Sequence, residues 1–367
     1  MTDTADIVVI GGGIAGISAA AALAEEARVT VLEAEAQPGR HSTGRSAAIF
    51  IRNYGNATLR ALNDLSHPAL SGGLIGDSVL SPRGEMIVAG PDDLDTLAAY
   101  LDGAEGMERL TPAEACEIVP VLRPETIAAA AIERDAQDID VDRLLQGCLR
   151  LLRHRGGTIG TGAQVQAIDR DGTGWRIRTA THDLSAGIVI NAAGAWADEV
   201  AVLAGLPRIG LQPMRRSAVI MPVPAAVGEY RRWPLFAAIS DAWYAKPEAT
   251  GLMISPADED PVDPHDAWPD DMVIAEGLYR FEQMVDIPVV RPSHSWAGLR
   301  SFVPDRSPVC GFEPEAPGFF WLAGQGGYGV QTSPALADLT AALCLGRNPG
   351  SSGELRKALD PARLRNG

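Results

Sequence analysis

Cysteine is scarce. The 367-residue chain has four, Cys116, Cys148, Cys310 and Cys344, far apart and without a CxxC pair. It therefore encodes neither a zinc knuckle nor a dithiol redox centre, and a reducing, cytoplasmic setting is the default expectation. Positive charge is short as well: 31 Lys and Arg stand against 47 Asp and Glu, a net charge of −16. A phosphate backbone would be repelled and counterion release would have nothing to act through, so neither nucleic acid nor an anionic membrane surface is expected as a partner. The six histidines, His41, His67, His154, His182, His265 and His294, show no HxxxH or HExxH spacing, and no GxSxG elbow occurs. Metallohydrolase and serine-hydrolase readings lack support, and no metal site is expected.

Apolar residues make up 46% of the chain and glycine contributes 39 positions, enough for two cores and too apolar for disorder. The run from Ile7 to Ala24 is uncharged, with Ser18 its one polar side chain, and has the hydropathy of a membrane span or a signal sequence. Its four glycines, the acidic Asp3 and Asp6 before it, and a charged Glu25-Glu26 leading straight into another strand argue instead for a buried strand and the helix behind it. No transmembrane segment is expected.

Asp6 to Ile10 reads as a strand, Gly11-Gly12-Gly13 as a turn, Ile14 to Glu26 as a helix and Arg28 to Leu32 as a second strand. Gln37 to Ser46 has a loop composition, and Arg60 to Leu65 has helical spacing. Segments Gly84 to Ala89, Ser217 to Val223 and Trp243 to Ser255, the last broken at Glu248-Ala249-Thr250-Gly251, read as antiparallel strands with hairpin turns. Helices are expected at Asp142 to Arg155, at Asp271 to Val285 and from about Ser333-Pro334. Strands are expected near Ala163 to Asp169, at Trp175 to Thr179 and at Gly187 to Asn191. Strand-helix-strand units recur at the start, middle and end, with sheet-like hairpins between them. The expected fold is therefore α/β, a Rossmann-type dinucleotide-binding domain interleaved with an antiparallel-sheet α+β substrate domain. The first takes residues 1–80, 140–210 and 295–367, and the second 81–139 and 211–294.

Gly11-x-Gly13-x-x-Gly16 lies between strand and helix, and Glu33 ends the second strand about 20 residues on. Gly11 allows the tight turn, Gly13 lets backbone approach a pyrophosphate at the helix N-terminus beside Ile14 and Ala15, and Gly16 permits close packing. Glu33, followed by Ala34, is placed for the ribose hydroxyls. Next comes Arg40-His41-Ser42-Thr43-Gly44-Arg45-Ser46-Ala47-Ala48, whose hydroxyls and guanidinium groups suit the rest of an extended cofactor. Three further segments fit: Asn191 to Trp196, with Ala193, Gly194 and Trp196; Gly298 to Asp305, with Arg300; and the glycine-dense Ala323 to Thr332, with Gly326, Gly327, Tyr328, Gly329, Val330 and Gln331.

These segments together resemble the FAD-dependent amine and D-amino-acid oxidoreductase superfamily, which includes glycine oxidase, sarcosine oxidase and D-amino-acid dehydrogenases, over essentially the whole chain. The phrases AQPGRHSTGRSAA (36–48), LSPRGEM (80–86), LQPMRRSA (211–218), HSWAGLRSFV (294–303) and GFFWLAGQGGYGVQTS (318–333) resemble most the catabolic D-arginine dehydrogenase type. The resemblance implies FAD as cofactor, with Val165 and Thr332 among its contacts. It further implies that Arg216 and Arg300 grip a substrate carboxylate, with Tyr54 beside them, and that Tyr244 closes over it. Glu85 would meet a cationic side chain, and the Gly327 carbonyl would accept from the substrate amine. Ile49 and Ile51 depart from that type, which carries polar residues there, and imply a less polar pocket wall. Some relatives attach FAD through a cysteine in the segment matching Arg300-Ser301; Ser301 here implies a noncovalent cofactor.

Oxidising an amino acid at a flavin needs an aimed Cα–H, a neutral amine and a carboxylate clamp, and the forked guanidinium of Arg300 matches a carboxylate bidentately. Glu85 sits in what reads as an alternating strand with one buried face, where a carboxylate either meets water or waits for a cation. The expected reaction is FAD-dependent oxidative deamination of D-amino acids with basic or bulky apolar side chains, giving imino acids that hydrolyse to 2-oxo acids and ammonia. Electrons would pass to a quinone, another carrier or oxygen. Two alternatives stand beside it: an oxidase or dehydrogenase for glycine, sarcosine or another N-alkyl amino acid, and a non-catalytic flavin-binding electron-transfer subunit.

Overall fold

Strands in the interior of a parallel sheet are covered on both faces, and their sequences are apolar at every position. Ile7–Ile10 and Phe319–Ala323 have that character throughout, and Val29–Leu32 and Ile188–Asn191 depart from it at Thr30 and Asn191 alone. In the computed structural model, which describes residues 3–365, they form a six-stranded sheet. Its order is Thr158–Gly160, Val29–Leu32, Ile7–Ile10, Ile188–Asn191, Phe319–Ala323 and Val309–Phe312. All neighbours are parallel except the last pair.

Side chains alternate across this sheet as the pleat requires. Ile7, Val9, Val31, Ile190, Phe320 and Leu322 pack with the helices Ile14–Leu23, Val141–His154 and Gly329–Cys344. Val8, Ile10, Leu32, Val189, Phe319 and Trp321 pack instead with Trp175 and Ile177 of a four-stranded sheet on the opposite face. The apolar run near the start is thus a buried strand and helix, as its glycines implied.

The helix Gly329–Cys344 begins earlier than the expected Ser333-Pro334, and Pro334 lies inside it. Proline cannot donate to the carbonyl four residues back, that of Val330. The Ser333 hydroxyl donates to it instead at 2.9 Å, so the helix continues through the proline.

A nine-stranded sheet forms the other half. Gln212–Met221 pairs with Gly251–Ser255 and, along nine register positions, with His294–Phe302. Residues 295–302 therefore lie in the large sheet, although the division by sequence groups them with the nucleotide-binding intervals. The hairpin Tyr244–Glu248 and Gly251–Ser255 forms where the sequence placed it. Glu85–Ala89 corrects two expectations. It runs parallel to Leu235–Ala238 while antiparallel to Ala129–Glu133, and all five of its residues are buried. Ile87 and Ala89 are covered by Leu97 of the helix Leu94–Leu101, while Met86 and Val88 enter the main core of this half. With both faces covered, no solvent-facing alternation is possible.

Within the six-stranded half, the turn after Ile7–Ile10 is packed most tightly at its glycines. Gly11 has φ +114°, and a Cβ there would stand 2.3 Å from the Ala192 carbonyl oxygen; one at Gly16 would stand 2.0 Å from that of Gly11. Backbone on both sides prevents relief by a side-chain shift. Gly16→Ala is expected to lower stability by ~1–3 kcal/mol and to reduce flavin retention, both read by thermal unfolding and absorbance of the purified protein. Unchanged melting with full flavin content would contradict this packing.

Candidate active site

Between the six-stranded and nine-stranded sheets lies a cavity of about 880 Å³ lined from both. At one end is the N-terminus of the helix Ile14–Leu23, which starts at Gly13 without a side-chain cap or a first-turn acid. Such an end presents backbone N–H groups and the positive pole of the helix to an anion. The Ile14 N–H donates to Thr43 Oγ1 at 3.0 Å. Glu33 accepts from the N–H groups of Gly12 at 2.6 Å and Glu35 at 2.7 Å; it is nearly buried yet borders the cavity, with acceptor capacity left for hydroxyls. Ala34, Val165, Ala193, Gly194 and Trp196 line the same end.

The loop after Glu33 is braced against the large sheet. Ser42 Oγ donates to the Leu299 carbonyl at 2.6 Å. Arg45 donates to the carbonyls of Ala267 and Ala297 at 3.0 and 2.9 Å and pairs with Asp266, to which Arg40 also donates at 3.3 Å. The guanidinium groups of Arg40 and Arg45 are thus engaged by protein, tying the loop to residues 266–297. Asp266, their shared partner, had no motif to mark it. His41 stacks at a tilt on Trp196, ring centroids 4.7 Å apart. Ser46, Ala47 and Ala48 continue the wall, Ala48 at φ +57°.

Gly326 and Gly327 bring backbone against Arg300. A Cβ on Gly326 would meet the Phe302 ring at 2.1 Å, and one on Gly327 would stand 2.9 Å from Arg300 Nη1. Among the described residues, no carboxylate pairs with Arg300. Its hydrogen-bond partner is the Tyr54 hydroxyl at 3.4 Å, and the Tyr54 and Tyr328 rings lie 4.7 Å apart. Burial works against the Arg300 charge, but the oxygens of Tyr54 and Tyr244 outweigh it and hold the group above the usual arginine value. Burial also opposes a Tyr244 phenolate. There the guanidinium groups of Arg300 and Arg216 prevail and hold the hydroxyl below the usual tyrosine value. Arg216 is less free: its Nη2 donates to Glu259 at 2.9 Å, while its Nε is buried without a partner.

Arg300, Arg216, Tyr244, Glu85, Gly327, Tyr54 and Ile49 all line the one cavity, with Ile51. Gly329, Val330 and Gln331 also line it. Gly16 and Thr332 do not: Gly16 serves packing, and the buried Thr332 hydroxyl donates to the Tyr328 carbonyl at 2.9 Å. Tyr100, Leu235 and Trp243 border the cavity with no signal in the sequence. Neither did Glu133, which buries its carboxylate opposite Glu85. Among the described residues no group of His, Cys, Asp and Glu is arranged to hold a metal, and no helix is long and apolar enough to cross a membrane.

A flavin dinucleotide fits these residues. The uncapped helix end and the glycine turn suit its phosphates. The Gln325 Nε2, buried at the cavity with no partner, is a donor awaiting an acceptor.

Comparison with known proteins agrees. Residues 6–343 match the family model described as FAD dependent oxidoreductase, DAO, and the chain belongs to this FAD-dependent family. The uncharacterized oxidoreductase YurR of Bacillus subtilis is 26% identical over 368 residues, covering 93% of this chain and 95% of that protein. The Xenopus laevis FAD-dependent oxidoreductase domain-containing protein 1 is 29% identical over 181 residues, 42% of this chain and 34% of the relative. Among solved structures, L-proline dehydrogenase from P. horikoshii superposes with a TM-score of 0.85 at 23% identity, covering 100% of this chain and 99% of the other. Glycine oxidase from Geobacillus kaustophilus superposes at 0.81 and 23% identity, covering 96% and 97%. The expected fold is the one these structures share.

Ser301 borders the cavity, whereas Cys310 is buried in the sheet with its sulfur 3.4 Å from Thr340 Oγ1. Acid precipitation is therefore expected to leave the yellow colour in the supernatant; a yellow pellet would show a covalent link.

Proposed function

We propose that this protein oxidises α-amino acids of the D series, with broad tolerance for basic and bulky apolar side chains, to imino acids that water converts to 2-oxo acids and ammonia. The observation that carries the reading is Arg300, a guanidinium at the cavity without an anionic partner, backed by hydroxyls rather than carboxylates. An isolated cation in a confined site is costly unless a ligand supplies the countercharge. A planar carboxylate meets its fork bidentately.

Arg300 and Tyr54 would hold one end of the zwitterion, with Arg216 and Tyr244 closing on it and the Gly327 carbonyl accepting from the amine. Fixing both groups aligns the Cα–H and removes the orientational cost of the encounter. FAD, when bound, supplies the two-electron acceptor for the hydride. The side chain would point past Ile49 and Ile51 toward Glu85 on the same cavity. A wall extending that far beyond the clamp favours substrates larger than glycine or sarcosine. The resemblance of the segments around 36–48 and 294–303 supports the D series.

Anaerobic mixing with a panel of D-, L- and N-methyl amino acids is expected to bleach the flavin with D-amino acids carrying basic or bulky apolar side chains. Bleaching confined to sarcosine or glycine would move the assignment to N-alkyl or small substrates, and no bleaching by any amino acid would defeat it. Arg300→Ala is expected to reduce kcat/KM by about 10² to 10³-fold, ~3–4 kcal/mol, through loss of the paired charge. An unchanged value would remove Arg300 from the clamp.

A further inference from the structure

Glu85 and Glu133 are register partners across the antiparallel strands Glu85–Ala89 and Ala129–Glu133. Opposed residues on neighbouring strands project from the same face, with Cβ atoms about 4.5–5.5 Å apart. Both are buried, at 4% and 3% exposure, and two carboxylates so placed cannot both ionise without a large penalty.

Their surroundings divide the roles. Glu133 Oε1 accepts from the Arg52 N–H at 2.8 Å, and Oε2 accepts from the Asn53 N–H at 3.2 Å and Asn53 Nδ2 at 2.6 Å. All three partners are donors, so Glu133 serves as the acceptor member. Among the described residues Glu85 is approached by the Tyr100 hydroxyl alone, at 3.4 Å, and it opens on the cavity shared with Ile49, Ile87 and Leu235. Among the described residues no neighbouring cation compensates it. Arg60 spends its guanidinium on the carbonyls of Gly55 and Gly103 at 3.1 and 3.0 Å, and Arg52 turns outward to Asp64 at 3.4 Å. Burial first, and then the Glu133 charge, push the Glu85 carboxyl up to about 8. Burial with both glutamates also raises the Tyr100 hydroxyl, which keeps it a donor.

Building on the amino-acid oxidoreductase reading above, we propose that Glu85 and Glu133 form a one-proton acid pair at the side-chain end of the cavity. A cationic substrate side chain binds by displacing the Glu85 proton to solvent, and an apolar side chain binds with that proton in place. In the first case only the Glu85 O–H bond breaks: carboxylic acid and substrate cation become an ion pair, and one proton enters the water. Glu133 is a positioning residue. It does not touch the substrate, but its charge decides how tightly Glu85 keeps the proton.

The sign follows directly. As pH falls below about 8, the ionised fraction of Glu85 drops about tenfold per unit, and the cationic substrate must expel a proton held ever more firmly. Selection for the cation therefore rises with pH and levels off above that point.

The test is the ratio of kcat/KM for arginine over leucine, both of the enantiomer that bleaches the flavin, measured on the holoenzyme from pH 6 to 9.5. Taking the ratio cancels titration of the α-amine. The ratio is expected to climb about tenfold per unit and then flatten in the wild type, to become flat in Glu85→Gln, and to inflect at least about one unit lower in Glu133→Gln. A flat wild-type ratio, or an inflection unmoved by Glu133→Gln, overturns the proposal while leucine oxidation continues and the broader reading stands. Failure of every amino acid to bleach the flavin defeats that reading instead. Should Glu133→Gln not fold, Glu133→Asp decides: a shifted inflection supports the pair, and an inflection unmoved in it, or one persisting in Glu85→Gln, overturns it.

Discussion

A guanidinium held at an internal cavity, with no carboxylate paired to it among the described residues, is the constraint around which the rest of the site is arranged. Arg300 is delivered by the last turn of pairing in His294–Phe302, a strand that the large sheet fixes along Gln212–Met221. Its charge is supported by phenolic oxygens, which stabilise a cation without neutralising it. Arg216, from the facing strand, is by contrast already paired with Glu259, and Glu259 is shared with Arg306 at 2.9 Å. The two arginines are therefore not equivalent. Among the described residues Arg300 faces no anion, while Arg216 shares one with Arg306.

The two ends of the cavity are mechanically joined by one short segment. Asn63 Nδ2 donates to the carbonyls of Ile51, Arg52 and Tyr54 at 3.2, 3.1 and 3.3 Å, and Glu133 receives the N–H groups of Arg52 and Asn53. Gln331 adds a bond to the Ile51 carbonyl at 3.2 Å. Residues 51–54 are thus held through both donors and acceptors by buried side chains. Tyr54, which contacts Arg300, hangs from a segment anchored on the same carboxylate that faces Glu85. The surroundings of Arg300 and of Glu85 share a support.

What the sequence discloses about this protein is what local constraints dictate. The turn at Gly11 to Gly16 was legible because positive φ and a carbonyl 2.0 Å from a would-be Cβ leave only glycine, and the flanking strands carry continuous apolar runs. The burial of all of Glu85–Ala89 was not legible, because one face is covered by Leu97, from a helix whose docking the strand itself does not signal, and the other by residues such as Val219 and Phe281, far away in sequence. The start of the last long helix was misplaced because Pro334 looks like a first-turn residue until Ser333 is seen to serve the orphaned Val330 carbonyl. Glu133 and Asp266 are single acids without a motif. Their significance exists only once a strand partner or an arginine pair stands opposite them.

This contrast bears on where substrate identity is encoded. Binding a dinucleotide imposes backbone requirements: an uncapped helix end, close strand–helix approach, and a glycine pair beside Arg300. Any chain that meets them resembles its relatives in the same places. The far wall imposes no such backbone rule. Ile49 and Ile51 can change polarity without disturbing a turn, and at Glu85 the Tyr100 hydroxyl stands against burial and the Glu133 charge, which both oppose ionisation. A buried acid pair carries a standing cost to the fold. Packing does not require that cost, since Met86 and Val88 of the same strand meet their packing needs with apolar side chains. The chemistry that justifies it is a ligand group able to take the proton's place.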